Sequence, residues 1–275
     1  MRAIRTALFA ITFLFLTNHV AATDYFVATT GSNSNNGLSS STPFQTITKA
    51  VSVLASGDTA WVASGEYNET VVIWNKNNIA LYGYGSTKPI IDGTGVTMNN
   101  GLVEIGGSTS PGTNGVIFEG FEVRDSAATG ILIWEAKNVQ LRYNYVHRNQ
   151  KGGITAGAST WGRNDYITVF ENTVTDNVRN NSARTLTSGW SQGIGLMYTD
   201  HGTIEGNYVS KNFGEGIDYI SSDNGLIVRN EVWDNYSVNV YLDNAQTTVV
   251  DRNWIYNSGD TNFYRNTRPA SGITA

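Results

Sequence analysis

Asn207-Tyr-Val-Ser-Lys-Asn212 and Asn230-Glu-Val-Trp-Asp-Asn235 share one skeleton, Asn-x-apolar-x-x-Asn, 23 residues apart. Asn253-Trp-Ile-Tyr-Asn-Ser258 continues the frame, and Asn172-Thr-Val-Thr-Asp-Asn177, Asn144-Tyr-Val-His-Arg-Asn149 and Phe121-Glu-Val-Arg-Asp-Ser126 precede it. The first positions of these six units lie 23, 28, 35, 23 and 23 residues apart, so two units carry surpluses of 5 and 12 residues that read as loops. Three apolar columns run through the frame. Phe118, Leu141, Val169, Ile204, Ile227 and Val250 stand three residues before the first positions, and Val123, Val146, Val174, Val209, Val232 and Ile255 two after. With the 12-residue surplus removed, Ile131, Ile154, Ile194, Ile217 and Val240 stand ten after.

A unit this short, rich in β-branched residues and poor in helical spacing, cannot bury its apolar side alone and must stack on copies of itself. The pattern predicts an all-β parallel β-helix, each unit a coil of about three strands paired in register with the next at roughly 4.8 Å. Asn at the sixth position suits a corner with left-handed backbone, which Asn tolerates well.

Residues 1–22 read as an export signal: Arg2 and Arg5, an apolar run from Ala7 to Leu16, then Val20-Ala21-Ala22 as a small-residue cleavage site. Removing them leaves 16 cationic side chains against 23 acidic ones, a formal charge of −7 that argues against nucleic acid as a partner. No other stretch is long and apolar enough to span a membrane. There is no Cys, so stability must come from a core rather than from disulfides. The expected location is secreted, either extracellular or periplasmic.

The opening of the mature chain is different in kind. Residues 23–67 carry a strand from Asp24, a polar loop over residues 30–37, and the spacing Ile47, Ala50, Val51, Leu54, which predicts a helix capping the exposed edge of the first coil. Residues 68–275 read as coils, with no linker marking a second domain. Tyr25-Phe-Val27, Gly31, Asn33, Gly37, Pro43-Phe44, Thr46-Ile47, Lys49-Ala50, Gly57-Asp58-Thr59, Val62, Gly65 and Tyr67 resemble the opening of secreted right-handed β-helix proteins. That pectate-lyase-like superfamily includes pectate lyases, alginate lyases and related polysaccharide enzymes. The resemblance implies a right-handed coil and a polysaccharide partner.

Function in such a solenoid is expected on one outward face, walled by turn insertions. The 12 extra residues fall between Asn177 and Gly193, and about 10 more fall between Ser258 and Ile273 at the same corner. The two coils between them should floor a trough roughly 14 Å long, enough for about three sugar rings. Period-two alternation, with Ile217 and Val240 inward, sends Asp218, Tyr241 and Asp243 outward; Glu215 and Asn239 stand in the same floor strands as substrate-binding candidates. The expected walls are Arg179, Arg184 and Trp190 on one side and Tyr264, Arg265 and Arg268 on the other.

Two chemistries remain open on these residues. Asp218 and Asp243, one coil apart and two residues offset, stand roughly 8 Å from each other, a spacing suited to hydrolysis with inversion. The resemblance implies instead β-elimination of a uronate, in which Ca²⁺ or Arg neutralises the substrate carboxylate and a base removes the C5 proton. Glu215, Asp218 and Asp243 are the candidate calcium ligands, with Tyr241 or a wall arginine such as Arg184 as base. A non-catalytic glycan-binding protein is the alternative class. Lys211 reads as structural, since Asp125, Arg148, Asp176, Lys211 and Asp234 alternate in sign and should form an ion-pair ladder. His147 and His201 fall in different columns, which argues against a shared metal. No polar cap follows Ser271-Gly-Ile-Thr-Ala275, so a further segment or another subunit is expected to cover the last coil.

Overall fold

The structure is a computed structural model that describes residues 21–107 and 112–275; all but the last two residues of the export signal lie outside the described residues. The chain is a right-handed parallel β-helix. Each coil contributes a strand to three parallel sheets. The first sheet begins at Asp24–Val27, the second at Glu66–Tyr67 and the third at Val71–Trp74.

The three sequence columns are the inward rows of these three sheets. Phe118, Leu141, Val169, Ile204, Ile227 and Val250 are successive register partners in the first sheet. Val123, Val146, Val174, Val209, Val232 and Ile255 pair in the second. Ile131, Ile154, Ile194, Ile217, Val240 and Ile273 pair in the third. β-branched residues suit this arrangement because a pleated strand holds them in one rotamer against the same residue type one coil away. All but those of the last coil are fully buried.

The corners hold the coils together with side-chain amides. Asn144, Asn172, Asn207, Asn230 and Asn253 form one stack and Asn149, Asn177, Asn212 and Asn235 another. Beyond the first rungs, Oδ1 accepts from both the backbone N–H and the Nδ2 of the Asn one coil before it, as Asn212 does from Asn177 at 3.1 and 3.0 Å. Nδ2 groups also donate to corner carbonyls; Asn177 reaches those of Val146 and Thr175, both at 3.1 Å. The expected left-handed backbone at the sixth position is misplaced by one residue. Positive φ falls on the residue before it, at Asp125, Arg148, Asp176, Lys211 and Asp234. The buried Asn satisfies the polar groups that the turn leaves open.

That charged column is therefore a row of turn residues, and the ion-pair ladder is realised at one rung, Arg148 to Asp125 at 2.5 Å. Asp176 turns instead to Arg179, Lys211 to Asp260 at 3.9 Å, and Asp234 to Ser258. The predicted cap is a seven-residue helix, Ile47–Val53. Thr46 Oγ1 accepts from Lys49 N–H at 3.1 Å, and the Glu69 carboxylate takes the N–H groups of Ile47 and Thr48 at 2.8 and 2.9 Å. These bonds satisfy three of the donors that a helix start leaves free.

Candidate functional site

The two insertions meet each other. The first runs through a 3-10 turn at Arg179–Asn181, and Asn181 anchors it by donating to Phe213 O at 2.7 Å and accepting from Leu186 N–H at 3.0 Å. The second runs through a 3-10 turn at Thr261–Phe263, with Phe263 stacked near Phe213 at 5.1 Å between centroids. Arg184 donates to Asn262 O at 3.3 Å, and Arg265 donates to Thr187 O at 3.1 Å while lying 4.6 Å over the Trp190 ring. The expected pair of facing walls is thus one continuous wall along a single edge of the third sheet.

Between this wall and the sheet lies a cavity of about 540 Å³ lined by Trp190, Gln192, Glu215, Asp218, Tyr241, Asp243 and Arg265, among others. Trp190 Nε1 donates to Glu215 Oε1 at 3.1 Å. Gln192 Nε2 donates to Glu215 Oε2 at 3.2 Å and reaches Asp218 Oδ2 at 3.4 Å. Asp218 is 2% exposed, and its Oδ1 has no partner among the described residues when the group is treated as a carboxylate. Burial, the charge of Glu215 with a hydrogen bond to it, and the charge of Asp243 push Asp218 from the ordinary 3.8 up to about 9. A proton on Asp218 shared with Glu215 accounts for both facts. The charge of Asp243 also raises the Tyr241 phenol, so Tyr241 holds its proton more tightly than a free tyrosine and is less available in the deprotonated form a base requires.

Several expected site residues lie elsewhere. Arg184 spends its guanidinium on the wall, Arg179 pairs with Asp176 at 2.7 Å, and Arg268 forms a backbone bridge with Arg265. Tyr264 belongs to the second insertion without lining the cavity. Asn239, expected to bind substrate on the trough floor, is fully buried: its Oδ1 accepts from Asn235 N–H and Nδ2 at 3.3 and 3.0 Å. It supplies the rung that Ser258 lacks. Gly130, Gly153, Gly193 and Gly216 hold the same row, and a Cβ on any of them would stand within 2.6–2.8 Å of a ladder Asn Nδ2. The row is reserved for the ladder, so alternation fails at this corner. Gln192 escaped the sequence reading although it sits 23 residues before Glu215 and is its register partner.

Metal donors were also placed. Among the described residues the trio whose ligand atoms lie within 4.8 Å of one another is Asp165, Asp200 and His201, in the first-sheet corner. Glu215, Asp218 and Asp243, the expected calcium set, are not such a trio in this arrangement of side chains. His201 Nδ1 lies 3.2 Å from Asp165 and 3.4 Å from Asp200, and its ring stacks on Tyr166 at 4.6 Å. His147 is buried against Glu122 at 3.0 Å, and burial pushes its pKa down.

A coiled stack of parallel strands with an acidic cavity on one outward face defines a parallel β-helix protein. Residues 51–268 match the family described as periplasmic copper-binding protein (NosD), and the chain belongs to that family. A comparison with curated protein sequences returns no match. Among solved structures, the chain is similar to a rhamnogalacturonan lyase (TM-score 0.58, 17% identity, 86% of this chain and 63% of that one). It is similar to the pectate lyase Pel9A (TM-score 0.56, 16% identity, 76% and 55%) and to a lacto-N-biosidase from Eubacterium ramulus (TM-score 0.58, 13% identity, 84% and 55%). At these identities the likeness is one of fold, and the chain spans less than two thirds of the length of each of these neighbours. The protein is secreted or periplasmic, and no described helix is long and apolar enough to cross a membrane.

Among the described residues, the trio around His201 does not fit copper. The chain has no Cys, and the trio around His201 offers one imidazole and two carboxylates, without the sulfur that Cu(I) selects or the additional imidazoles that suit Cu(II).

Proposed function

We propose that the protein is a polysaccharide-cleaving enzyme acting on uronate-containing chains by β-elimination, with the cavity of Asp218, Glu215 and Asp243 as its active site. The observation that carries this reading is the Asp218 carboxyl, 2% exposed on the cavity floor with an unpartnered Oδ1; its burial and the charge of Glu215 favour the protonated form. An acid of that kind is suited to protonating a departing sugar oxygen. In the elimination, Asp243 takes the C5 proton, the C4–C5 double bond forms as the C4–O bond breaks, and Asp218 gives its proton to the leaving oxygen. Arg265, lining the same cavity, offsets the charge gathered on the uronate carboxylate. The neighbours named as rhamnogalacturonan and pectate lyases support the choice of reaction only as chemistry that this fold can host.

The register supports a second reading, inverting hydrolysis, since Asp243 stands one coil on from Asp218 and two residues beyond its partner Tyr241. There Asp243 activates a water that adds at C1 as the C1–O bond breaks, and Asp218 again supplies the proton. The test is incubation with a panel of uronate-containing and neutral polysaccharides, with and without Ca²⁺. Absorbance from an unsaturated product is expected; new reducing ends without it would establish hydrolysis instead. Asp218→Asn is expected to abolish turnover while leaving the thermal transition in place. Binding without turnover on every substrate would favour a non-catalytic glycan-binding protein.

A further inference from the structure

A second cavity, of about 380 Å³, opens on the third sheet nearer the N-terminus. Trp74, Gly106 and Trp134 are successive register partners there. Both indoles face outward, 44% and 38% exposed. Two strand spacings, roughly 9.6 Å, separate their backbones. Gly106 leaves the space between them free, and no other residue can take its place unmoved, because a Cβ would stand 2.0 Å from Trp134 O. Trp134 lies over Gly157 of the next coil, where a Cβ would meet ring atoms at 3.0 and 3.3 Å. The ring therefore leans away from Trp74 and widens the slot. A flat ring held between two aromatic faces needs about 7–8 Å, two ordinary van der Waals contacts.

The polar lining completes a saccharide-sized site. Glu104, 6% exposed, is fixed by accepting from Asn100 N–H and Gly101 N–H at 3.2 and 3.1 Å. Lys151 lines the same cavity, and its ammonium has no ion-pair partner among the described residues. Towards the acidic cavity the outward rows continue through Thr155, Gly157 and Gly195, which leave a low floor between the two cavities. Trp134 and Asp218 are three strand spacings apart, roughly 14 Å.

We propose that this slot holds one uronate pyranose ring of a polysaccharide chain that runs along the third sheet into the acidic cavity. The C–H faces of the sugar pack on Trp74 and Trp134, its hydroxyls meet Glu104 and its carboxylate meets Lys151. The choice of a uronate rests on the proposed elimination; the slot itself does not.

Calorimetric titration of the full chain carrying Asp218→Asn with galacturonate, mannuronate and guluronate oligomers of graded length tests this. For at least one series, affinity is expected to rise steeply once the oligomer is about four rings long, enough to span both cavities. Trp74→Ala and Trp134→Ala should each weaken binding of the long oligomers about tenfold and leave short ones unaffected. Lys151→Ala should weaken the uronate oligomer but not its carboxyl-reduced, neutral counterpart. Unchanged thermal transitions, expected for exposed side chains, keep the comparison clean. Wild-type affinity in the Trp74→Ala/Trp134→Ala double variant, or binding of none of the three series, overturns the slot. Residual turnover in Asp218→Asn would sink the acid assignment instead, and loss of affinity in the tryptophan variants would still support the slot.

Discussion

Asp218→Asn keeps the size of the side chain and removes the proton that burial and Glu215 hold on it. The pH dependence has a definite sign. A carboxyl whose folded pKa, about 9, lies above its ordinary 3.8 binds more proton folded than unfolded between those values. Its contribution to stability is therefore fully present below about pH 4 and is lost as pH rises towards 9. Thermal transitions of the wild type should fall over that range. In Asp218→Asn the fall should be smaller by at least about 1 kcal/mol, roughly one pKa unit's worth. Equal slopes for the two proteins, measured in buffers from pH 5 to 9, would refute the shared proton. The sequence disclosed Asp218 and Asp243 through the outward phase of Ile217 and Val240. It did not disclose the proton, because that depends on how closely Glu215, Gln192 and Trp190 pack around the group.

At the scale of elements, the asparagine stacks act as a fourth kind of interaction beside the three sheets. Asn177→Ala would leave the carbonyls of Val146 and Thr175 and the N–H of Asn149 without their side-chain partners inside the corner. Loss of about 2–4 kcal/mol in urea unfolding is expected, since several buried polar groups lose their bonds at once. A change under about 0.5 kcal/mol would mean that water replaces the amide. The stacks were visible as a repeat, but their role was misread. Asn has two uses at a corner, left-handed backbone and a buried amide, and sequence spacing alone does not separate them. The same ambiguity hides in the sequence that Asn239 is a ladder amide in the corner row rather than a residue of the trough floor.

For the whole molecule, stacking makes every coil dependent on its neighbours. Val209 is fully buried and pairs in register with Val174 and Val232, so Val209→Asp places a charge in the core with no partner. Loss of the cooperative thermal transition is expected in circular dichroism; a native-like transition would contradict the inward assignment of that row. The architecture was legible because a repeating coil writes each spatial row as a sequence period. The wall was legible only as surplus length, because Arg184, Arg265 and Trp190 find partners through loop conformation rather than through the period.

The wall also sets an order in time. Arg184 and Asn262, like Thr187 and Arg265, are 78 residues apart in the chain, whereas strands of adjacent coils pair across 21 to 40. Contacts close in sequence form at lower entropic cost, so the stacked coils that carry Asp218 and Asp243 are expected to form before the wall closes over them. Enclosure of the cavity is then the last step of folding rather than part of the core.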